Sequence, residues 1–246
     1  MNSFKFAGPP LSEGPLPAIF YFALSADESL TLDPFNQPVA YLSNLPIRIF
    51  SVDLPGHGKD LPATQALEIW ADEISKGHNI IQECIDQIER LVENLLKQNV
   101  LISNKIATMG LSRGAFIATL AAAQIPHFQS ILGFAPLTRV SSIKEFQTLE
   151  HSSLIESLNL EHFIEKLGTR PLRFYIGNID VRVGTRNCFN FIEKLSSSQL
   201  EKKVRSPQVE LIISPSIGFQ GHGTSKAIFH QGARWIAEKL GCIDVV

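Results

Sequence analysis

Short apolar runs of strand length alternate along this chain with longer stretches whose apolar residues recur every three or four positions. The runs fall at residues 18–24, 47–53, 105–110, 130–134, 172–176 and 209–213. Most are nearly continuous in Val, Ile, Leu and Phe, the pattern of strands covered on both faces. Between them, Ile81, Cys84, Ile85, Ile88, Leu91, Val92, Leu95 and Leu96 form one stripe at helical spacing, which predicts a helix over about 79–98. Gly77 separates it from an earlier helix holding Leu67, Trp70 and Ile74. An alanine-rich helix follows Ser112, another carries Cys188, Phe191, Ile192 and Leu195, and a last one runs over about 225–240 and stops at Gly241. Residues 1–17 are rich in Pro and Gly and read as an extended arm. The alternation predicts a three-layer α/β/α sandwich around a mainly parallel sheet of about six strands.

Composition narrows the class. A chain of 246 residues fits one large domain, here taken as residues 1–246, and buries enough surface to fold without disulfide or metal. Hydrophobic residues make up 44% and charged residues 19%, as in ordinary globular proteins. The formal net charge of −2 disfavours a nucleic-acid partner. The single dense basic stretch, Lys202-Lys203-Val204-Arg205, reads as a solvated loop. Cys84, Cys188 and Cys242 are too few and too scattered for a disulfide framework or a metal site, so reduced thiols in a cytoplasmic protein are expected. No apolar run approaches 18 residues, so no membrane span is expected. The run at 16–24 has the apolarity of a signal-peptide core, but no clean cleavage site follows it, and it is read as a strand.

The chemistry-bearing string is Gly110-Leu111-Ser112-Arg113-Gly114, set between an apolar strand and the alanine-rich helix. That is the context of a nucleophile elbow. A serine at the apex of a tight turn holds its Oγ clear of the sheet, and glycines on either side let strand and helix approach without a Cβ clash. The residue after it starts a helix, where its N–H can hold an oxyanion. The plain alternative is a turn whose serine only caps the helix.

With these residues the sequence resembles the α/β-hydrolase superfamily over nearly its whole length. Asp53-Leu54-Pro55-Gly56-His57-Gly58 looks like the family's turn after its fourth strand, and 17–24 like its third strand. The elbow string and the segment 177–185 look closest to the prolyl-oligopeptidase-like and dienelactone-hydrolase-like esterase branch. The family's His-Gly-x aligns with Phe22-Ala23-Leu24, which implies Leu24 as the second oxyanion donor beside Arg113. The short N-terminal stretch and the 34 residues from 137 to 170, where caps are inserted, imply a trimmed core with a short cap-like insertion and an open site.

A serine hydroxyl needs a base, and the base an orienting acid. The resemblance implies the chain order serine, acid, histidine. Asp180 follows the strand Phe174-Tyr175-Ile176-Gly177, whereas the preceding strand ends without a carboxylate, so Asp180 is the candidate acid. His222, between the last strand and the last helix and flanked by Gly221 and Gly223, is the candidate base. His57 is read as a turn residue. The reading is therefore a serine hydrolase, a carboxylesterase acting on small acyl esters or thioesters through Ser112, Asp180 and His222, with no cofactor and no metal. A peptidase or amidase with the same triad, and a non-catalytic binding protein of the same fold, are the alternatives. Arg113, Arg182 and Arg186 are expected to pair with carboxylates such as Asp27, Glu28 or Asp33 rather than to bind a substrate carboxylate. Leu24, Phe134, Leu137, Ile217 and Phe219 are candidates for an acyl pocket.

Overall fold

The computed structural model describes residues 4–58, 61–149 and 151–243. Seven strands form one sheet: β1 (Phe4–Ala7), β2 (Leu16–Phe22), β3 (Arg48–Val52), β4 (Leu101–Leu111), β5 (Ser130–Phe134), β6 (Leu172–Gly177) and β7 (Val209–Ser214). Their order across the sheet is β1-β3-β2-β4-β5-β6-β7. All pairs are parallel except β1 with β3. The six strands expected from the apolar runs are β2 to β7.

The seventh corrects the expectation of an extended arm. Phe4-Lys5-Phe6-Ala7 adds an antiparallel edge, and the rings of Phe4 and Phe6 each lie 5.9 Å from that of Phe50. The next residues are held by Arg48, which is fully buried. Its guanidinium donates to the carbonyls of Pro9, Pro10, Gly14 and Val100 at 2.6–3.1 Å.

Nine α-helices accompany the sheet among the described residues: α1 (Ala26–Thr31), α2 (Gln37–Leu42), α3 (Ala66–Ser75), α4 (Ile80–Lys97), α5 (Arg113–Gln124), α6 (Ser153–Ser157), α7 (Ile164–Leu167), α8 (Thr185–Glu201) and α9 (Lys226–Lys239). The strands explain the layering. Along β2, Ala18, Phe20 and Phe22 join one core with α3, α4, α5 and α8, while Ile19 and Tyr21 join a second core with α2 and α9. A strand walled on both sides has no polar alternate position, hence the unbroken apolar run. The described residues of 137–170 include short helical turns, whose Val140, Phe146, Ile155 and Leu160 join the first core.

Candidate active site

The site stands at the C-terminal edge of the sheet, where β4 turns into α5. Ser112 occupies that turn with φ 56° and ψ −120°, a conformation L-residues adopt only at a cost. Surrounding hydrogen bonds hold it there. Its N–H donates to the Phe134 carbonyl at 2.8 Å, and its own carbonyl accepts from Ala115 at 3.0 Å and from Leu137 at 3.2 Å. The two glycines are required sterically. A Cβ on Gly110 would lie 2.3 Å from the Gly114 carbonyl carbon, and a Cβ on Gly114 would lie 2.0 Å from the Phe22 carbonyl oxygen.

Ser112, His222 and Asp180 are brought together from three separate loops. His222 Nε2 lies 2.8 Å from Ser112 Oγ, and His222 Nδ1 lies 2.7 Å from Asp180 Oδ2. A carboxylate can only accept, so Nδ1 carries the proton and Nε2 is left to accept from the serine hydroxyl. Asp180 is buried, and its Oδ1 accepts from the backbone of Arg182 at 3.0 Å and Val183 at 3.1 Å. Its own N–H donates to Thr185 Oγ1, which in turn donates to the Gly177 carbonyl. The histidine loop is laced to the aspartate loop. Val181 donates to the Gln220 carbonyl, Ile179 to Ser216 Oγ, and Ser216 to Asn178 Oδ1. A Cβ on Gly221 would meet the Ile179 carbonyl oxygen at 2.0 Å, so these loops touch without room for a side chain.

The two expected oxyanion donors differ. The N–H of Arg113, at the first position of α5, meets no acceptor among the described residues. The N–H of Leu24 already donates to Ser29 Oγ at 2.9 Å, and the N–H of Ala23 reaches the same oxygen at 3.2 Å. Ser29 is fully buried on α1. The helix is itself anchored at its start, because Ala26 N–H donates to Asp53 Oδ1 at 2.7 Å. Asp53 opens the Asp-x-Pro-Gly-x-Gly turn, which thus fixes the loop carrying Leu24.

A cavity of about 350 Å³ opens beside Ser112. Leu24, Phe35, Leu111 and Phe229 give it apolar walls, and Thr64 and Arg113 border it. Of the five residues proposed from sequence for an acyl pocket, only Leu24 lines it. Phe134 and Leu137 are buried in the two cores, and Ile217 and Phe219 are exposed. Phe35 is held through its carbonyl, which accepts from Tyr21 Oη at 2.6 Å. No periodicity singled out Phe35 or Phe229. No described residue of 137–170 lines the cavity.

Among the described residues, Arg182 has the kind of carboxylate partner expected of the arginines, and Arg113 and Arg186 do not. Arg182 forms a two-pronged pair with Glu145 at 2.9 and 2.6 Å, and Arg186 lies over the Phe189 ring at 5.9 Å. Arg113 pairs with no carboxylate among the described residues. Its Nη2 lies 2.6 Å from His57 Nε2 and donates to the Ala63 carbonyl at 2.9 Å. His57 Nδ1 faces the Pro55 carbonyl at 3.1 Å, which can only accept, so His57 carries its proton on Nδ1 and accepts from Arg113 on Nε2. Burial, and then the Arg113 cation, push His57 down to about 4. Burial, and then Arg182, lower Arg113 to about 10. His57 is therefore more than the turn residue its glycines suggested. A partner 56 residues away gave no sign in the sequence.

Glu156, Glu161 and His162 bring possible metal-ligand atoms within 4.8 Å of one another, but Glu161 is already engaged by Lys194, and the group shares no residue with the cavity.

No protein-family model matches this sequence, and neither does any curated protein. Solved structures do match. Est1E from Butyrivibrio proteoclasticus, solved with ferulic acid, aligns at a TM-score of 0.67 and 13% identity, over 97% of this chain and 94% of its own. An S-formylglutathione hydrolase from Agrobacterium tumefaciens aligns at 0.61 and 17% identity, over 97% and 90%. A 2,6-dihydroxy-pseudo-oxynicotine hydrolase aligns at 0.64 and 15% identity over 96% of this chain, which spans only 63% of that protein's length. At these identities the likeness is one of fold, and the fold is that of the α/β-hydrolases. No helix among the described residues is long and apolar enough to cross a membrane.

Proposed function

We propose that this chain is a serine hydrolase that cleaves carboxylic or thio esters of small acyl substrates by way of an acyl-enzyme. The observation that carries the reading is the unbroken hydrogen-bond chain from Asp180 Oδ2 through the His222 ring to Ser112 Oγ, at 2.7 and 2.8 Å. In this mechanism Ser112 Oγ attacks the acyl carbonyl while His222 Nε2 takes its proton. Asp180 holds the tautomer and stabilises the imidazolium. The oxyanion forms against the Arg113 N–H. Leu24 N–H serves as the second donor once it exchanges Ser29 Oγ for the stronger, charged acceptor. His222 then protonates the leaving alcohol or thiol, and water repeats the cycle on the acyl-enzyme.

The cavity supports small substrates. Its volume is near the low end for ligand sites, and its apolar walls suit a short aliphatic or aromatic acyl group. Three unpaired cysteines support a reducing compartment, the cytoplasm, as its location.

A fluorophosphonate probe tests the reading directly. Wild-type protein should be labelled at one residue, and Ser112→Ala should not be labelled at all. Folded wild-type protein that resists the probe would overturn the proposal. Turnover of short 4-nitrophenyl esters should fall by roughly 10⁶ in Ser112→Ala.

A further inference from the structure

Arg48 is fully buried and Arg113 half-buried, and the two are treated differently. Arg48 is fully buried and fully used, since its Nε, Nη1 and Nη2 all donate to backbone carbonyls. That is how a cation retained for structure is satisfied. Arg113 is not satisfied in this way. Its Nη2 serves both His57 and the Ala63 carbonyl, its Nε is buried without a partner, and no described residue accepts from its Nη1.

The acids around it do not neutralise it. Glu145 is bound at both oxygens by Arg182. Glu28 is occupied by the N–H and hydroxyl of Ser25 in the capping box of α1. His57 is held neutral, so it orients the guanidinium without cancelling its charge. The result is a positioned cation, directly after the candidate nucleophile, on the border of an otherwise apolar cavity. An uncompensated charge in such a place is costly unless an anion joins it.

We propose that the Arg113 side chain is the anion-recognising element of this pocket, so that the ester it takes carries a carboxylate beside an apolar body. The inference rests on the hydrolase reading and adds its substrate class. The carboxylate would lie toward Ala63 and Thr64, which line the cavity together with Arg113. A guanidinium fork suits a planar carboxylate better than a point charge would.

Matched ester pairs test this without any variant. One pair places the charge on the acyl side, mono-4-nitrophenyl adipate against 4-nitrophenyl hexanoate. The other places it on the alcohol side, 4-acetoxybenzoate against its methyl ester. In at least one pair the wild-type enzyme should favour the charged ester by about ten- to hundredfold in kcat/KM, mainly through KM. The preference should shrink as salt is raised. Arg113→Gln should abolish it, and Arg113→Lys should restore part of it. Comparing two substrates on one variant cancels any effect on the oxyanion donor. Turnover of neutral and charged esters alike in both pairs overturns the anion site and leaves the hydrolase standing, as does a preference that survives Arg113→Gln in probe-reactive protein. No turnover and no probe labelling of folded protein overturns both.

Discussion

Gly114 packs against Phe22 so closely that a Cβ on the glycine would stand 2.0 Å from the Phe22 carbonyl oxygen. This contact sets the height of α5 over β2. It therefore fixes how far the Arg113 N–H stands from the loop that carries Leu24. Gly114→Ala forces two backbones apart with no flexible side chain to give way, so the expected cost is about 3 kcal/mol or more. Urea unfolding measures it. A midpoint equal to wild type would mean that the elbow has slack the close contact denies.

Asp180 is bound at both oxygens, and this makes Asp180→Asn a sharp test of its role. The asparagine Oδ1 can keep accepting from Arg182 and Val183. Its amide nitrogen then faces His222 Nδ1 and donates to it. The ring must shift its proton to Nε2, where it can no longer accept from Ser112. The loop should stay folded while ester turnover falls by roughly 10⁴. Turnover near wild type in a folded variant would move the acid elsewhere.

The sequence carried most of the architecture because both faces of the sheet are covered. Residues such as Phe20, Tyr21, Ile131 and Phe174 must all be apolar, and six strands stand out as runs. β1 escaped for the opposite reason. Phe4-Lys5-Phe6-Ala7 is a short edge whose residues are only partly covered, and its neighbours are Gly and Pro. Ser112, Asp180 and His222 were legible because strained turns demand glycine beside them or place them just past an apolar strand. The pairing of Arg113 with His57 and the capture of Leu24 by Ser29 were not. Each depends on a side-chain direction that residue identity and spacing leave open.

Ser29 holds two amides, one of which, Leu24, the proposed mechanism uses as an oxyanion donor. Ser29→Ala removes the acceptor of both Ala23 and Leu24 in a buried place, so stability should drop by about 1–3 kcal/mol. The oxyanion would then be the only acceptor offered to Leu24, so kcat on a short ester should hold or rise. Steady-state kinetics on the folded variant decide the matter. A fall of 10² or more, the cost of losing an oxyanion donor, would show instead that Ser29 positions the loop for catalysis.

His57 gives the protein a pH dependence that can be isolated. Its value falls from 6.5 in the unfolded chain to about 4 in the fold, through burial and then the Arg113 cation. Between those limits the unfolded chain binds a proton that the folded protein refuses. Stability from this group is therefore complete above pH 6.5, and it is lost as the pH falls toward 4. The slope is at most about 1.4 kcal/mol per pH unit, the linkage of one proton. Carboxylates titrate in the same range, so the comparison must be with a variant. His57→Gln keeps an acceptor for Arg113 but cannot be protonated. It should be less stable than wild type at pH 7, through loss of the bond to Pro55, and the gap should narrow steadily as the pH is lowered to 4. Denaturant unfolding at half-unit steps measures that gap. A gap constant across the window would mean that His57 titrates as freely in the fold as in the open chain, and the downward shift assigned to burial and Arg113 would be wrong.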